Sequence, residues 1–407
     1  MSDQEREQAP TIIPRADHHI SRKQFTQGTL DVLYRLREAG YTAYIAGGGV
    51  RDLLVGRAPK DFDVVTNARP EQVKRLFRYC RLVGRRFRLA HVHVRDEVIE
   101  VSTFRANVEE RQEKSRFHQK SDDGLVLRDN IYGNPASDAW RRDFTINALF
   151  YNIEDFSIID YVGGLDDVLE KTIRTIGDPE QRMTEDPVRM IRAVRFASTL
   201  GFDVEPATRD AIFKLAELIT KASPARMFEE VQKLFFCGHS REVLRQLHDY
   251  GLLVHMLPEV DGAMRGNEHD RNWLDRVTRQ LDTWRSHGVR ATPELLFALL
   301  FGLVHERAIN ARIEAGMPRY HAAESAVRDH LVSLATRVQI PKSIGIHISQ
   351  LMAVQPYFLN LNKGKAERFM RRACFHDAFI YFKMRSRFEH AHDEAVHFWS
   401  DIIRGEA

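Results

Sequence analysis

Prolines cut the second half of this chain into helix-length pieces. From about Pro179 onward, Pro206, Pro224, Pro258, Pro293, Pro318, Pro341 and Pro356 stand between stretches whose apolar residues recur at helical spacing. Proline has no amide hydrogen and its ring clashes with the preceding turn, so it opens helices and does not continue them. Before Pro179 the period is different. "FTQGTLDVLYRLREAG" predicts an amphipathic helix stopped by Gly40, "YTAYIAGGGV" a strand running into a glycine turn, "RDLLVG" a short helix and "DFDVVT" the next strand. "PEQVKRLFRYC" reads as a helix begun by Pro70, and "RLAHVHV" and "VIEVSTF" as strands around the turn "RDE". The expected class is α+β, a small mixed sheet with helices followed by an all-helical neck and body. The expected boundaries are a tail over 1–24, a head over 25–165, a neck over 166–260 and a body over 261–407. The polar stretch 107–130 reads as a mobile loop between strand and helix.

At 407 residues the chain has room for two or three domains with real cores. No run approaches the roughly 18 apolar residues that span a bilayer, and "MSDQEREQAP" is unlike a signal peptide, so a cytoplasmic protein without membrane contact is expected. Three scattered cysteines, Cys80, Cys237 and Cys374, suggest neither disulfides nor a zinc pair. A net charge of only +3 conceals basic clusters: "RRFR" at Arg85–Arg88, Arg141 with Arg142, and "RFMRR" at Arg368–Arg372. Such patches let a nearly neutral protein hold a polyanion.

The chemistry is carried first by "KDFD". In a strand alternate side chains share a face, so Asp61 and Asp63 would point the same way, about 6 to 7 Å apart. Like charges so placed do not stabilise a sheet, and the pair suits magnesium, which takes one or two carboxylates plus substrate phosphates. The plain alternative is solvated surface charge. Just upstream, "GGGVRD" offers Gly48 and Gly49 at a strand-to-helix turn, where backbone amides can approach phosphate, and Arg51, a fixed fork of donors. The alternatives there are a tight turn and a salt bridge between Arg51 and Asp52.

"AGGGVRDLLVGRAPKDFDVVT" resembles the class II tRNA nucleotidyltransferase and bacterial poly(A) polymerase family of the polymerase-β superfamily. The resemblance continues through "RRDFTINALFY", "DYVGGLDDV" and "EDPVRMIRAVRFA", covering roughly Ile13 to Pro258. It implies a polymerase-β-like head with Asp61 and Asp63 as Mg2+ ligands and Asp143 as a further acidic residue of the site. Arg141 and Arg142 are implied to reach ribose or phosphates. The alternative is that Asp143 caps a helix over "FTINALFY". Glu100 is a second-rank candidate for the metal site. The resemblance further assigns Asp186 and Arg189 to the edge of the incoming base, and Arg192 and Arg195 to holding the nucleotide. Without it, the three-residue spacing of these four would read as a solvated salt-bridge face.

The family has two branches, one adding CCA to tRNA and one adding adenylates to RNA 3′ ends. "LVGRRFRLAHV" and the third glycine of "GGGVRD" resemble the second. Arg85, Arg86 and Arg88 around Phe87 suit an RNA backbone and a stacked base. The expected reaction is template-independent: the RNA 3′-hydroxyl attacks the α-phosphorus of ATP, one metal activating the hydroxyl and a second stabilising pyrophosphate. ATP, RNA 3′ ends and RNA-decay proteins are the expected partners of a monomer. The chain stops at "FWSDIIRGEA" without a Lys/Arg-rich tail, which bears on RNA affinity and not on the chemistry. Two rivals are carried: a phosphohydrolase built on the His-Asp pairs at His248, His269, His376 and His392, and a non-catalytic RNA-binding protein. The first needs a further His upstream and an Asp far downstream on facing helices, and four unrelated dipeptides in a histidine-rich chain are expected surface and cap features; the intact Asp61, Asp63 and Asp143 oppose the second.

Overall fold

The computed structural model describes residues 9–84, 88–106 and 132–404. The loop expected over 107–130 and the arginines Arg85 and Arg86 lie outside the described residues. The chain forms two compact units: one runs to Arg182 and takes back Phe202–Arg209, the other holds Met183–Gly201 and continues from Asp210.

In the first unit eight strands form one mixed sheet: β1 Thr11–Ile13, β2 Ala43–Ala46, β3 Asp63–Thr66, β4 Cys80–Val83, β5 Leu89–Val94, β6 Glu97–Thr103, β7 Leu149–Asn152 and β8 Ile158–Asp160. Their order is β1-β8-β7-β2-β3-β6-β5-β4. Only β3 and β6 run parallel; the other neighbours are antiparallel. The helices that accompany it include α1 Gln27–Glu38, α2 Gly48–Leu54, α3 Pro70–Leu76, α4 Pro135–Trp140 and α5 Gly164–Leu169. Helix α1 begins because the Thr26 side chain accepts from the Thr29 amide, and it buries Val32, Leu33 and Leu36 on one stripe. Ala46, Val65, Phe104, Ala139, Ala148, Phe150, Ile159 and Ile176 pack as one cluster on the sheet.

Four expectations change. The residues from Thr11 on are no tail: β1 pairs with β8, Thr11 opposite Asp160, with Ile13 and Ile20 buried. Helix α3 stops at Leu76, and Cys80–Val83 becomes strand β4, because Cys80, Arg81, Leu82 and Val83 hydrogen-bond along β5. "FTINALFY" is a single 3-10 turn over Thr145–Asn147 and then β7, so no helix stands there for Asp143 to cap. Its tail of apolar residues is buried on both sides between β2 and β8, which overrides helical propensity. Finally, β3 begins at Asp63, leaving Asp61 in the irregular stretch before it.

The second unit is helical. Pro224, Pro258 and Pro293 stand at the first position of helices Pro224–Phe235, Pro258–Arg265 and Pro293–Glu314. Its core centres on Trp273, Trp399, Phe297, Phe301 and Phe358, and each indole N–H donates to a carbonyl, Trp273 to Leu299 and Trp399 to Phe358. No helix among the described residues is long and apolar enough to cross a membrane. The three cysteines are free thiols. His248 is bonded to Asp261 at 2.8 Å and His269 to Glu389 at 2.9 Å. Among the described residues no group of three or more His, Cys, Asp or Glu is gathered as a metal site, around the His-Asp pairs or elsewhere.

Candidate active site

The glycine turn joins β2 to α2. Gly47 lies at φ +72°, its amide donates to the Leu149 carbonyl at 2.9 Å, and an added Cβ would sit 2.8 Å from Arg142 Nη1. The turn therefore admits only glycine at this position, a residue that the sequence reading passed over. At Gly49 a Cβ would press on the Phe62 ring at 2.9 Å, whereas at Gly48 the nearest atom is Arg51 Nη2 at 3.5 Å. Packing explains Gly47 and Gly49; it does not require Gly48 to lack a side chain.

Register brings the carboxylates to this turn. Asp63 pairs with Ala46, the residue immediately before Gly47. Val64 pairs with Val101, so Glu100 precedes its strand neighbour on β6 as Asp63 does on β3. Asp61, Asp63 and Glu100 are all exposed. Neither Asp61 nor Asp63 has a side-chain hydrogen bond or ion pair among the described residues, while Glu100 faces His91 Nε2 at 3.5 Å. The Asp63 carboxyl is pushed above the ordinary aspartate range, first by loss of water to the surrounding protein, then by the negative charges of Glu100 and Asp61; Arg142 opposes the rise. One face of Asp63 nevertheless stays open to solvent. This is a position where a bound cation relieves an existing repulsion, and the hard oxygen donors suit a divalent metal.

Around the carboxylates lies a buried polar frame. Asp138 on α4 is fully buried and holds both basic residues of the "RRDF" segment: Oδ1 accepts from Arg141 Nε and Nη2 at 2.9 and 2.5 Å, and Oδ2 from Arg142 Nε and Nη2 at 3.2 and 2.9 Å. Burial pushes the Asp138 carboxyl up, but Arg142 and Arg141 outweigh it and hold it below the ordinary range. Arg182 adds Nη2–H donation to the carbonyls of Arg141 and Arg142 at 2.8 and 2.9 Å. Arg142 Nη1 also donates to the Asn147 carbonyl at 3.0 Å, and its guanidinium lies 5.4 Å from the centre of the Phe150 ring. Asp138 was legible as an acid three and four residues ahead of two arginines on a helix end. No spacing announced Arg182.

Asn147 connects the two ends of the site. Its Nδ2 donates to Asp143 Oδ1 at 3.2 Å, and its Oδ1 accepts from Arg51 Nη1 at 2.5 Å. Arg51 is buried, and its Nε and Nη2 donate to Asp52 Oδ1 at 2.9 and 2.7 Å. The pairing with Asp52 left open by the sequence is thus formed, and Arg51 reaches Asp143 through Asn147. Arg88, the one described member of "RRFR" among the candidate arginines, is exposed and paired with Glu71 at 2.6 Å.

The remaining candidates lie in the second unit, on and before helix α6, Val188–Leu200. Asp186 accepts the Val188 amide at 3.2 Å and is held by Arg226, a residue the sequence reading did not single out. Arg189 Nη1 meets Glu185 Oε2 at 3.3 Å. Arg192 and Arg195 lie against the Phe196 ring, at 5.4 and 4.6 Å from its centre. The helix therefore buries Met190, Ile191, Ala193 and Val194 and carries its charge on the other side.

Comparison with known proteins covers both units. Residues 43–174 match the poly(A) polymerase head domain, 201–264 the probable RNA- and SrmB-binding site of polymerase A, and 315–406 the polymerase A arginine-rich C-terminus. Poly(A) polymerase I of Salmonella typhimurium is 43% identical over 382 residues, 93% of this chain and 82% of that protein. A CCA-adding enzyme of Bacillus velezensis is 39% identical over 237 residues, but this is 57% of the chain and 56% of the enzyme. In three dimensions the CCA-adding enzyme of Bacillus stearothermophilus, solved with CTP, superposes with a TM-score of 0.63 at 26% identity, covering 94% of this chain and 82% of that one. The likeness to the CCA-adding sequence covers 57% of the chain while that to poly(A) polymerase I covers 93%, and on this ground the chain belongs to the bacterial poly(A) polymerase family, the polynucleotide adenylyltransferases of the nucleotidyltransferase fold.

Proposed function

We propose that this protein adds AMP from ATP to RNA 3′ ends without a template, and that Asp61 and Asp63 hold Mg2+ for that transfer. The observation that carries the site is the pair of exposed carboxylates without side-chain partners among the described residues, one of them raised by loss of water and then by its acidic neighbours, set by strand register against the glycine turn. Magnesium bound there would neutralise phosphate charge and lower the barrier to in-line attack of the 3′-hydroxyl on the α-phosphorus, pyrophosphate leaving.

The chain's own residues do the positioning. Arg142, anchored on Asp138, points its Nη1 at the turn and supplies fixed positive charge beside Asp63. Gly48, whose missing side chain packing does not explain, leaves the backbone open to a triphosphate. Arg51 acts by fixing Asn147, and Asn147 by orienting Asp143. In the second unit, Asp186 accepts from the exocyclic amine of the base and Arg189 donates to its ring nitrogen, with Arg192 and Arg195 steadying the nucleotide.

The test is incubation of the purified protein with a generic single-stranded RNA and each NTP separately in the presence of Mg2+. Long adenylate tails from ATP, with poor use of CTP, are expected. Efficient addition of C, C and A to tRNA lacking its end, followed by a stop, would overturn the reading.

A further inference from the structure

The second unit carries a cluster of cations that far outnumber the acids among them. Helix Lys363–Met370 and the two residues after it present Lys363, Lys365, Arg368, Arg371 and Arg372, all exposed, against a single acid, Glu367. None of these five forms an ion pair among the described residues. Elsewhere in the same unit several surface arginines are matched: Arg241 and Arg279 on Asp275, Arg245 on Glu242 and Asp249, Arg312 on Asp329. A surface that is only kept soluble intersperses its signs. Lys363 and Lys365 moreover occupy the first turn of the helix, where the backbone already carries partial positive charge and cations destabilise. This placement costs stability, so an anion that arrives later is the simplest reason for it.

An aromatic ring stands in the cluster. Tyr357 is 53% exposed, and the Arg372 guanidinium lies 5.3 Å from its centre and 5.7 Å from that of Phe369. Phe369 is buried against Phe358, Phe375 and Trp399, so the platform is fixed to the core of the unit. Fixed cations along a helix, with an anchored aromatic face that is open on one side, meet the two needs of single-stranded nucleic acid, neutralised phosphates and a stacked base. An acidic polypeptide would use the charges and leave the ring idle.

We infer that Tyr357, Lys363, Lys365, Arg368, Arg371 and Arg372 form a docking surface for the single-stranded RNA substrate away from its 3′ end. The inference rests on the reading that the substrate is RNA, and its test is separable from that of AMP transfer. The full chain is titrated with a 5′-fluorescent 15-nucleotide single-stranded RNA, without ATP, by anisotropy over a range of KCl concentrations. Replacing Lys363, Lys365 and Arg371 together by Ala should reduce the slope of log affinity against log salt by about 2, since each lost phosphate contact removes ~0.7. Tyr357→Ala should weaken binding roughly tenfold and leave the slope alone. Thermal melting checks that the variants fold; all four positions are exposed. AMP transfer to a trinucleotide primer should be unchanged in the triple variant while KM for a 30-nucleotide primer rises. An unchanged slope and affinity in the folded triple variant would overturn the assignment. So would displacement of the RNA by poly-glutamate as effectively as by unlabelled RNA of equal charge. A wild-type chain that bound RNA with the expected slope but transferred no AMP would leave this surface standing and remove the polymerase reading instead.

Discussion

Arg226 places Nη1 on Asp186 Oδ1 and Nη2 on Asp186 Oδ2, both at 2.9 Å, so one guanidinium fork grips both oxygens of the residue assigned to base reading. Asp186 also accepts the Val188 amide, so three of roughly four lone-pair sites are taken. The carboxylate is thereby aimed, with about one acceptor position left for an exocyclic amine.

A site built for one donor and acceptor pattern rejects the reverse pattern, because buried polar groups are left unpaired. ATP and CTP present an amine beside a ring acceptor; UTP and GTP do not. Asp186→Ala and Arg189→Ala are each expected to reduce ATP use and shrink the preference over UTP and GTP by roughly 1 to 3 kcal/mol. Arg226→Ala should do the same in weaker form, and Arg226→Lys should not restore it, since an ammonium cannot grip both oxygens. The measurement is kcat/KM for the four NTPs on one primer. Loss of activity with all four ratios unchanged would make the "EDPVR" segment a brace and not the reader.

Replacing Asp61 or Asp63 by Ala removes a proposed metal ligand and should lower the rate on the order of a thousandfold. Neither carboxylate has a side-chain partner among the described residues, and Asp63 is repelled by its neighbours, so the melting temperature should hold or rise slightly. Near-normal AMP incorporation by Asp61→Ala in Mg2+ would refute the metal assignment.

The raised carboxyl of Asp63 sets a pH dependence. An acid whose folded-state value lies above its unfolded value costs stability when ionised, fully at neutral pH, and the cost disappears as pH falls below the unfolded value near ~4. Asp63→Asn should therefore raise the melting temperature at pH 7, with the gain vanishing towards pH 4. Glu100 is the largest charge contribution to the rise, so Glu100→Gln should shift the acid limb of the kcat/KM profile to lower pH while preserving the plateau. A collapse of the plateau would instead make Glu100 a metal ligand.

Asp138 has the opposite sign. Its carboxyl is held below the ordinary range, so the stability it contributes is present above pH ~4 and is lost as pH falls through its lowered value. Asp138→Ala leaves Arg141 and Arg142 without their shared partner at a fully buried position, and should cost about 3 to 5 kcal/mol in denaturant unfolding. Asp138→Asn keeps the shape but not the charge, and should also lower activity through a misplaced Arg142. Wild-type stability in Asp138→Ala would refute the role of this pair as the frame of the site.

Much of this protein was readable in its residues because the information was local. The change of apolar period near Pro179, the glycine turn and the Asp-x-Asp pair each lie within a few residues, where periodicity and steric demand act directly. What escaped depends on partners distant along the chain. "FTINALFY" could pass for a helix until β2 and β8 enclosed it, and Thr11–Ile13 for a tail until β8 supplied its hydrogen bonds. Asn147 acquires meaning only when Arg51, 96 residues earlier, meets it, and Arg226 only when it closes on Asp186, 40 residues earlier. A side chain's type states which bonds it can make; which of them it makes is decided when tertiary packing excludes water and leaves each buried donor one acceptor within reach.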